Sequence, residues 1–95
     1  MLLVFSGQTD DVHDYYKYWG GTSRRLGDEE GKRAAYSKLV AISPWYASGH
    51  YHYGTVLEKD GKLDQAMGAY RRTQELNPSY WRAFLAEAVA PSPPA

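Results

Sequence analysis

The sequence predicts an all-α fold of about five helices paired as antiparallel hairpins. Three observations predict it. Apolar residues recur at intervals of three and four, the period of one helix face. Ser43-Pro44 and Asn77-Pro78 interrupt that pattern. The aromatic–glycine pairs Trp19-Gly20 and Tyr53-Gly54 are separated by the same interval as those two interruptions.

A chain of 95 residues is one domain by length. Its 43% hydrophobic content excludes a disordered composition overall. Eleven basic residues balance eleven acidic ones, six of each through Ser43 and five of each from Pro44 on. A uniform basic field is therefore absent, and neither nucleic acid nor a membrane is an expected partner. No cysteine is present, so disulfide and thiol chemistry are excluded; this is compatible with a cytoplasmic location. Nine tyrosines, three tryptophans and two phenylalanines are an unusual load. Tyrosine needs a wet or hydrogen-bonded end, which places many of these rings at half-buried seams or along a groove.

Met1 to Phe5 is apolar but too short for a signal peptide or a membrane span. Residues 1–9 are expected to be a flexible stub, 10–90 a helical domain and 91–95 a Pro-rich disordered tail. Thr9 or Asp10 is the expected cap of the first helix, which runs to about Arg25. Val12, Tyr15, Tyr16 and Trp19 form its apolar face. Gly20 and Gly21 each cost about 1 kcal/mol relative to alanine inside a helix. Gly27 is a turn and Asp28 a cap for the second helix, which ends near Ile42 with Ala35, Tyr36, Leu39, Val40 and Ile42 inward.

Ser43 is the expected cap of the third helix, with Pro44 at its first position. That helix runs from about Trp45 to Lys59 and is closed by Asp60-Gly61. The fourth runs from about Leu63 to Leu76. Its inward stripe is Leu63, Ala66, Met67, Tyr70 and Thr73. A fifth, from about Ser79 to Val89, carries Trp81, Phe84, Leu85 and Ala88.

Between Pro44 and Pro78 the spacing is H-x2-Y-G-x2-L, then A-x3-Y, then P, on His50, Tyr53, Gly54, Leu57, Ala66 and Tyr70. It resembles the tetratricopeptide repeat, a 34-residue helix–turn–helix unit. Gly54 and Ala66 stand where its two helices touch. Stepping back one repeat length gives Tyr16, Trp19, Gly20, Tyr36 and Pro44, which fit; Ser23 departs, and so does Lys32, where a small residue is expected. The first unit is either degenerate or has its second helix shifted so that Ala34 or Ala35 makes the contact. The resemblance covers about residues 10–90 and ends in one capping helix. It implies a short right-handed α-solenoid that binds a protein or peptide segment on its concave face.

By the same resemblance, that face presents Lys17, Gly21 and Arg24, then Ser48, Tyr51, His52, Thr55 and Glu58, then Arg82 and Ala86. One subfamily grips the C-terminal carboxylate of chaperone tails with a clamp of Lys, Asn and Arg. Lys17 and Arg82 fall at clamp positions. Gly21 and His52 replace the two asparagines, and Ala86 replaces a basic residue.

His50 and His52 lie roughly 200° apart on a helix, so they cannot share one metal ion. No phosphate loop or dinucleotide fingerprint is present. A non-enzymatic scaffold or adaptor without a cofactor is the expectation. A second possibility is an assembly unit that homodimerises, or docks on a larger complex, through its last helix. Repeat arrays usually need about three units for independent stability, and Trp81, Phe84 and Leu85 cannot all be covered from one side.

Overall fold

A computed structural model describes residues 8–80. Four helices follow one another: α1 (Gln8–Leu26), α2 (Glu29–Ile42), α3 (Ala47–Lys59) and α4 (Leu63–Leu76). No strand occurs among the described residues. None of these helices is long and apolar enough to cross a membrane. Each helix packs mainly on its neighbours in sequence, so α1–α2 and α3–α4 form hairpins joined through α2 and α3. The predicted capping helix, the tail and Arg82 lie outside the described residues, as does the stub up to residue 7.

The turns are built alike. Gly27 and Gly61 adopt φ of 73° and 81°, a conformation open to glycine at little cost. Asp28 N–H donates to the Ser23 carbonyl at 2.8 Å, and Lys62 N–H to the Leu57 carbonyl at 2.9 Å. Lys32 N–H reaches Asp28 O, and Ala66 N–H reaches Lys62 O. Ser43 N–H closes on Leu39 O, and Asn77 N–H on Thr73 O. Each of these bonds in the first hairpin recurs one repeat length later in the second, donor for donor and acceptor for acceptor. Asp28 also caps α2 through its side chain, where Oδ1 accepts from Gly31 N–H at 3.0 Å.

Packing repeats at the same interval. A Cβ on Gly20 would come 2.7 Å from the Tyr36 ring, and one on Gly54 would come 2.6 Å from the Tyr70 ring. Both tyrosines are buried. Leu57, Ala66, Ala69 and Tyr70 form one core cluster. Tyr36, Leu39 and Val56 form a second, which joins the two hairpins. Burial, and then the Glu58 carboxylate, push the Tyr70 hydroxyl well above its ordinary pKa. Its O–H donates to Glu58 Oε1 at 2.7 Å.

Charged pairs latch α2 to the end of α3. Arg33 grips Asp60 with two hydrogen bonds, Nε to Oδ2 at 2.9 Å and Nη2 to Oδ1 at 2.7 Å. Lys59 Nζ donates to Glu29 Oε2 at 3.2 Å.

Several expectations are corrected. Thr9 and Asp10 lie inside α1, not at its cap. Trp45 is not helical: α3 begins two residues later, because Tyr46 N–H closes a turn on Ser43 O at 3.0 Å. Pro44 is therefore in a turn, and Ser43 caps the C-terminus of α2 with no side-chain role at the start of α3. Pro78 and Ser79 form the equivalent turn, which Tyr80 N–H closes on Asn77 O at 2.9 Å, so no helix starts at Ser79.

The second helix is not shifted: its bounds precede those of α4 by one repeat length at both ends. Ala34 is exposed, while Ala35 is buried like its counterpart Ala69. Lys32 takes the register of Ala66 at only 7% exposure. Its aliphatic stem is covered and its Nζ reaches Glu29 Oε1 at 3.5 Å, as long cationic side chains do at an apolar edge. Of the predicted apolar face of α1, Tyr16 packs inward as expected, but Val12, Tyr15 and Trp19 are exposed; the face against α2 carries Tyr16 with Gly20 and Ser23.

Candidate functional site

A cleft of about 200 Å³ opens between α1, α2 and α3. The first helix contributes Lys17, Tyr18, Gly21, Arg24 and Arg25 to its wall. The other wall holds Tyr46, Ser48 and His52, and Tyr36 and Leu39 form the base. Lys17 is held between rings, with Nζ 5.5 Å from the centroid of Tyr18 and 5.9 Å from that of Tyr46. Such contacts are worth roughly 0.5–1 kcal/mol at exposed sites. His52 stacks on Tyr36, with ring centroids 5.0 Å apart. Gly21 leaves space: a Cβ there would meet only the Arg24 guanidinium, at 4.0 Å.

Three cations and no carboxylate line the cleft. With low-dielectric walls on several sides, one sign of charge concentrates the field in the opening. The aromatic walls add apolar area with polar tips, a composition typical of binding surfaces.

The turn at Pro44 is fixed against α1 by His13. Its Nδ1 hydrogen-bonds with Ser43 Oγ at 2.8 Å, its ring stacks on Trp45 at 5.1 Å, and it meets Tyr46 edge-on at 4.7 Å. These contacts set the position of Tyr46 and hence one side of the cleft.

Of the residues expected to form the binding face, Lys17, Arg24, Ser48 and His52 come together here. Tyr51 and Thr55 do not. Tyr51 packs on Tyr70 and Tyr80, with ring centroids at 5.9 and 5.4 Å. Thr55 Oγ1 donates to the His52 carbonyl one turn earlier. Glu58 is engaged by the Tyr70 hydroxyl. Arg82 lies outside the described residues. Tyr18, one of the rings that the sequence offers to a partner along with Tyr15, Tyr51 and Tyr80, does line the cleft, whereas Arg25 and Tyr46 were missed. The signal for Arg25 was available, since it lies on the same helical arc as Gly21, four residues earlier.

His50 and His52 serve different partners. His50 Nε2 donates to the Pro44 carbonyl at 2.9 Å, which ties α3 to the turn before it. Among the described residues, no group of three His, Asp or Glu side chains could hold a metal ion.

The fold and cleft define an all-α protein of two alike hairpins with a basic, aromatic-walled cleft between them. Compared with known proteins, the chain matches no family model, and no curated protein or solved structure is significantly similar to it.

Proposed function

We propose that this protein is a non-enzymatic interaction module that binds a protein or peptide segment in the cleft between α1 and α3, and that the segment is acidic. The observation that carries this reading is the lining: Lys17, Arg24 and Arg25 face one opening that contains no carboxylate. A negatively charged segment is the complementary occupant, and such complementarity sets specificity and on-rate. Ser48 and His52 add polar contacts along the opposite wall. The recurrence of turns, close glycines and tyrosines at one interval supports membership of the tetratricopeptide class, with the hairpins stacked as a right-handed α-solenoid. The cleft then corresponds to the concave face of that stack.

The test is fluorescence anisotropy with a labelled Glu-rich decapeptide and its Gln-rich counterpart. The Glu peptide should bind and the Gln peptide should not. Raised salt should weaken binding, because exposed charges are screened. Lys17→Ala with Arg24→Ala should reduce affinity about tenfold or more. Equal binding of both peptides, or indifference to the double variant, would exclude the cleft as the site.

A further inference from the structure

We infer that the protein self-associates as a twofold dimer through α1, with the two α1 helices antiparallel. The observation is a face that is ready for a helix and carries none. Val12, Tyr15, Trp19, Thr22 and Leu26 follow one another in steps of three and four residues, the spacing of a helix–helix seam. All five are exposed, Tyr15 at 61% and Trp19 at 37%. Tyr18 beside them is 65% exposed. Tyr15, Tyr18, Trp19 and Thr22 line a shallow groove.

The second hairpin shows what such a face does. One repeat length after Val12, Tyr15, Trp19 and Thr22 stand Tyr46, Gly49, Tyr53 and Val56. On α3 this face is used: Tyr46, Tyr53 and Val56 pack in the cluster with Tyr36 and Leu39, and Gly49 lies against the Leu39 side chain. On α1, no helix among the described residues covers the corresponding face.

Charge selects the occupant. The first half of α1 exposes Asp11 and Asp14, and its last turn exposes Arg24 and Arg25. Two α1 helices running antiparallel place the acidic half of each beside the basic end of the other, whereas parallel helices would set like charges together. Consider the register that seats Tyr15 on Trp19 of the second copy. Val12 then meets the copy's Thr22, and Asp11 flanks the seam beside the copy's Arg25. Because the arrangement is twofold, each contact occurs twice. Flanking charges of this kind fix partner choice and orientation in paired helices. Lys17 and Arg24 point away from this seam toward the cleft, so dimerisation leaves them available, while Arg25 stands on the edge that seam and cleft share.

The test is sedimentation velocity on the full chain across a concentration series, with helicity followed by circular dichroism. The wild-type chain should form a dimer. Asp11→Arg alone and Arg25→Asp alone should each weaken it about tenfold, since each sets like charges face to face. Mixing these two variants should restore association, because every flanking pair in the mixed dimer is then opposite in sign. The double variant Asp11→Arg/Arg25→Asp should also dimerise. Tyr15→Glu, at an exposed position, should abolish the dimer while leaving the helices intact. A chain that stays monomeric throughout would overturn the proposal. So would a dimer indifferent to both single reversals, or single variants that fail to complement each other.

Discussion

Tyr70 closes over Gly54 so tightly that a Cβ on the glycine would lie 2.6 Å from the ring. Tyr36 does the same over Gly20, at 2.7 Å. Each pair sets the distance between the two helices of its hairpin. The tyrosines are buried and cannot swing aside. Overpacking of this kind typically costs about 1–3 kcal/mol, more than the roughly 1 kcal/mol that alanine gains over glycine in a helix. Gly54→Ala and Gly20→Ala should therefore lower stability by up to about 2 kcal/mol. Gly68, mid-helix on α4 with nothing within 4 Å of an added Cβ, supplies the opposite sign. Gly68→Ala should stabilise by about 0.5–1 kcal/mol. Urea unfolding of the three variants measures both effects.

Much of this architecture was legible in the residues. Gly27, Asp28, Gly61 and the two prolines fix where α2 and α4 begin and end, because each imposes a local backbone rule. Gly20 and Gly54 announce the close approaches. The turn at Pro44 was not legible, because proline suits both a first helical position and a tight turn. Tertiary contacts decide between them: His13, on α1, holds Ser43 and Trp45. The buried face of α1 was legible only in part: Tyr16 and Gly20 lie on it as expected, whereas Val12, Tyr15 and Trp19 do not. Val12, Tyr15 and Trp19 share a helical period with the seam that Tyr16, Gly20 and Ser23 form, and the larger rings drew the assignment. Lys32 read as a misfit because a sequence does not show that its stem is covered while its charge reaches Glu29.

The Arg33–Asp60 and Glu29–Lys59 pairs bind α2 to the end of α3, and acid should release them. The Arg33 guanidinium holds Asp60 below its ordinary value of 3.8. The Lys59 ammonium holds Glu29 below its ordinary value of 4.5. A carboxylate whose pKa is lower when folded adds stability that is complete above its unfolded value and is lost as pH falls through the folded one. The melting temperature should therefore fall as pH drops below these values. Arg33→Ala should melt earlier than wild type near neutral pH, and the gap should narrow in strong acid. A gap that is constant from neutral pH to strong acid would show that Arg33 acts through packing and not through charge.

Tyr51 belongs to the core of the second hairpin and to the turn at Tyr80, not to the cleft. Tyr51→Ala removes a half-buried ring and should cost about 2 kcal/mol, less than the truncation of a fully buried aromatic. Tyr51→Phe should be nearly neutral, since Tyr51 meets His52, Tyr70 and Tyr80 through its ring. Binding of the Glu-rich decapeptide by the folded fraction of Tyr51→Ala should match wild type. Chemical denaturation and anisotropy on the same preparations separate the two roles.

Where an acidic segment lands is the most direct test of the cleft's role. The measurement is amide and side-chain NMR of the labelled full chain, titrated with the Glu-rich decapeptide at low salt. The cleft predicts saturable shifts centred on Lys17, Gly21, Arg24, Ser48 and His52, with Tyr51 and the α4 face unmoved. Shifts scattered over Lys38, Lys62 and Arg72 with none concentrated in the cleft would contradict it.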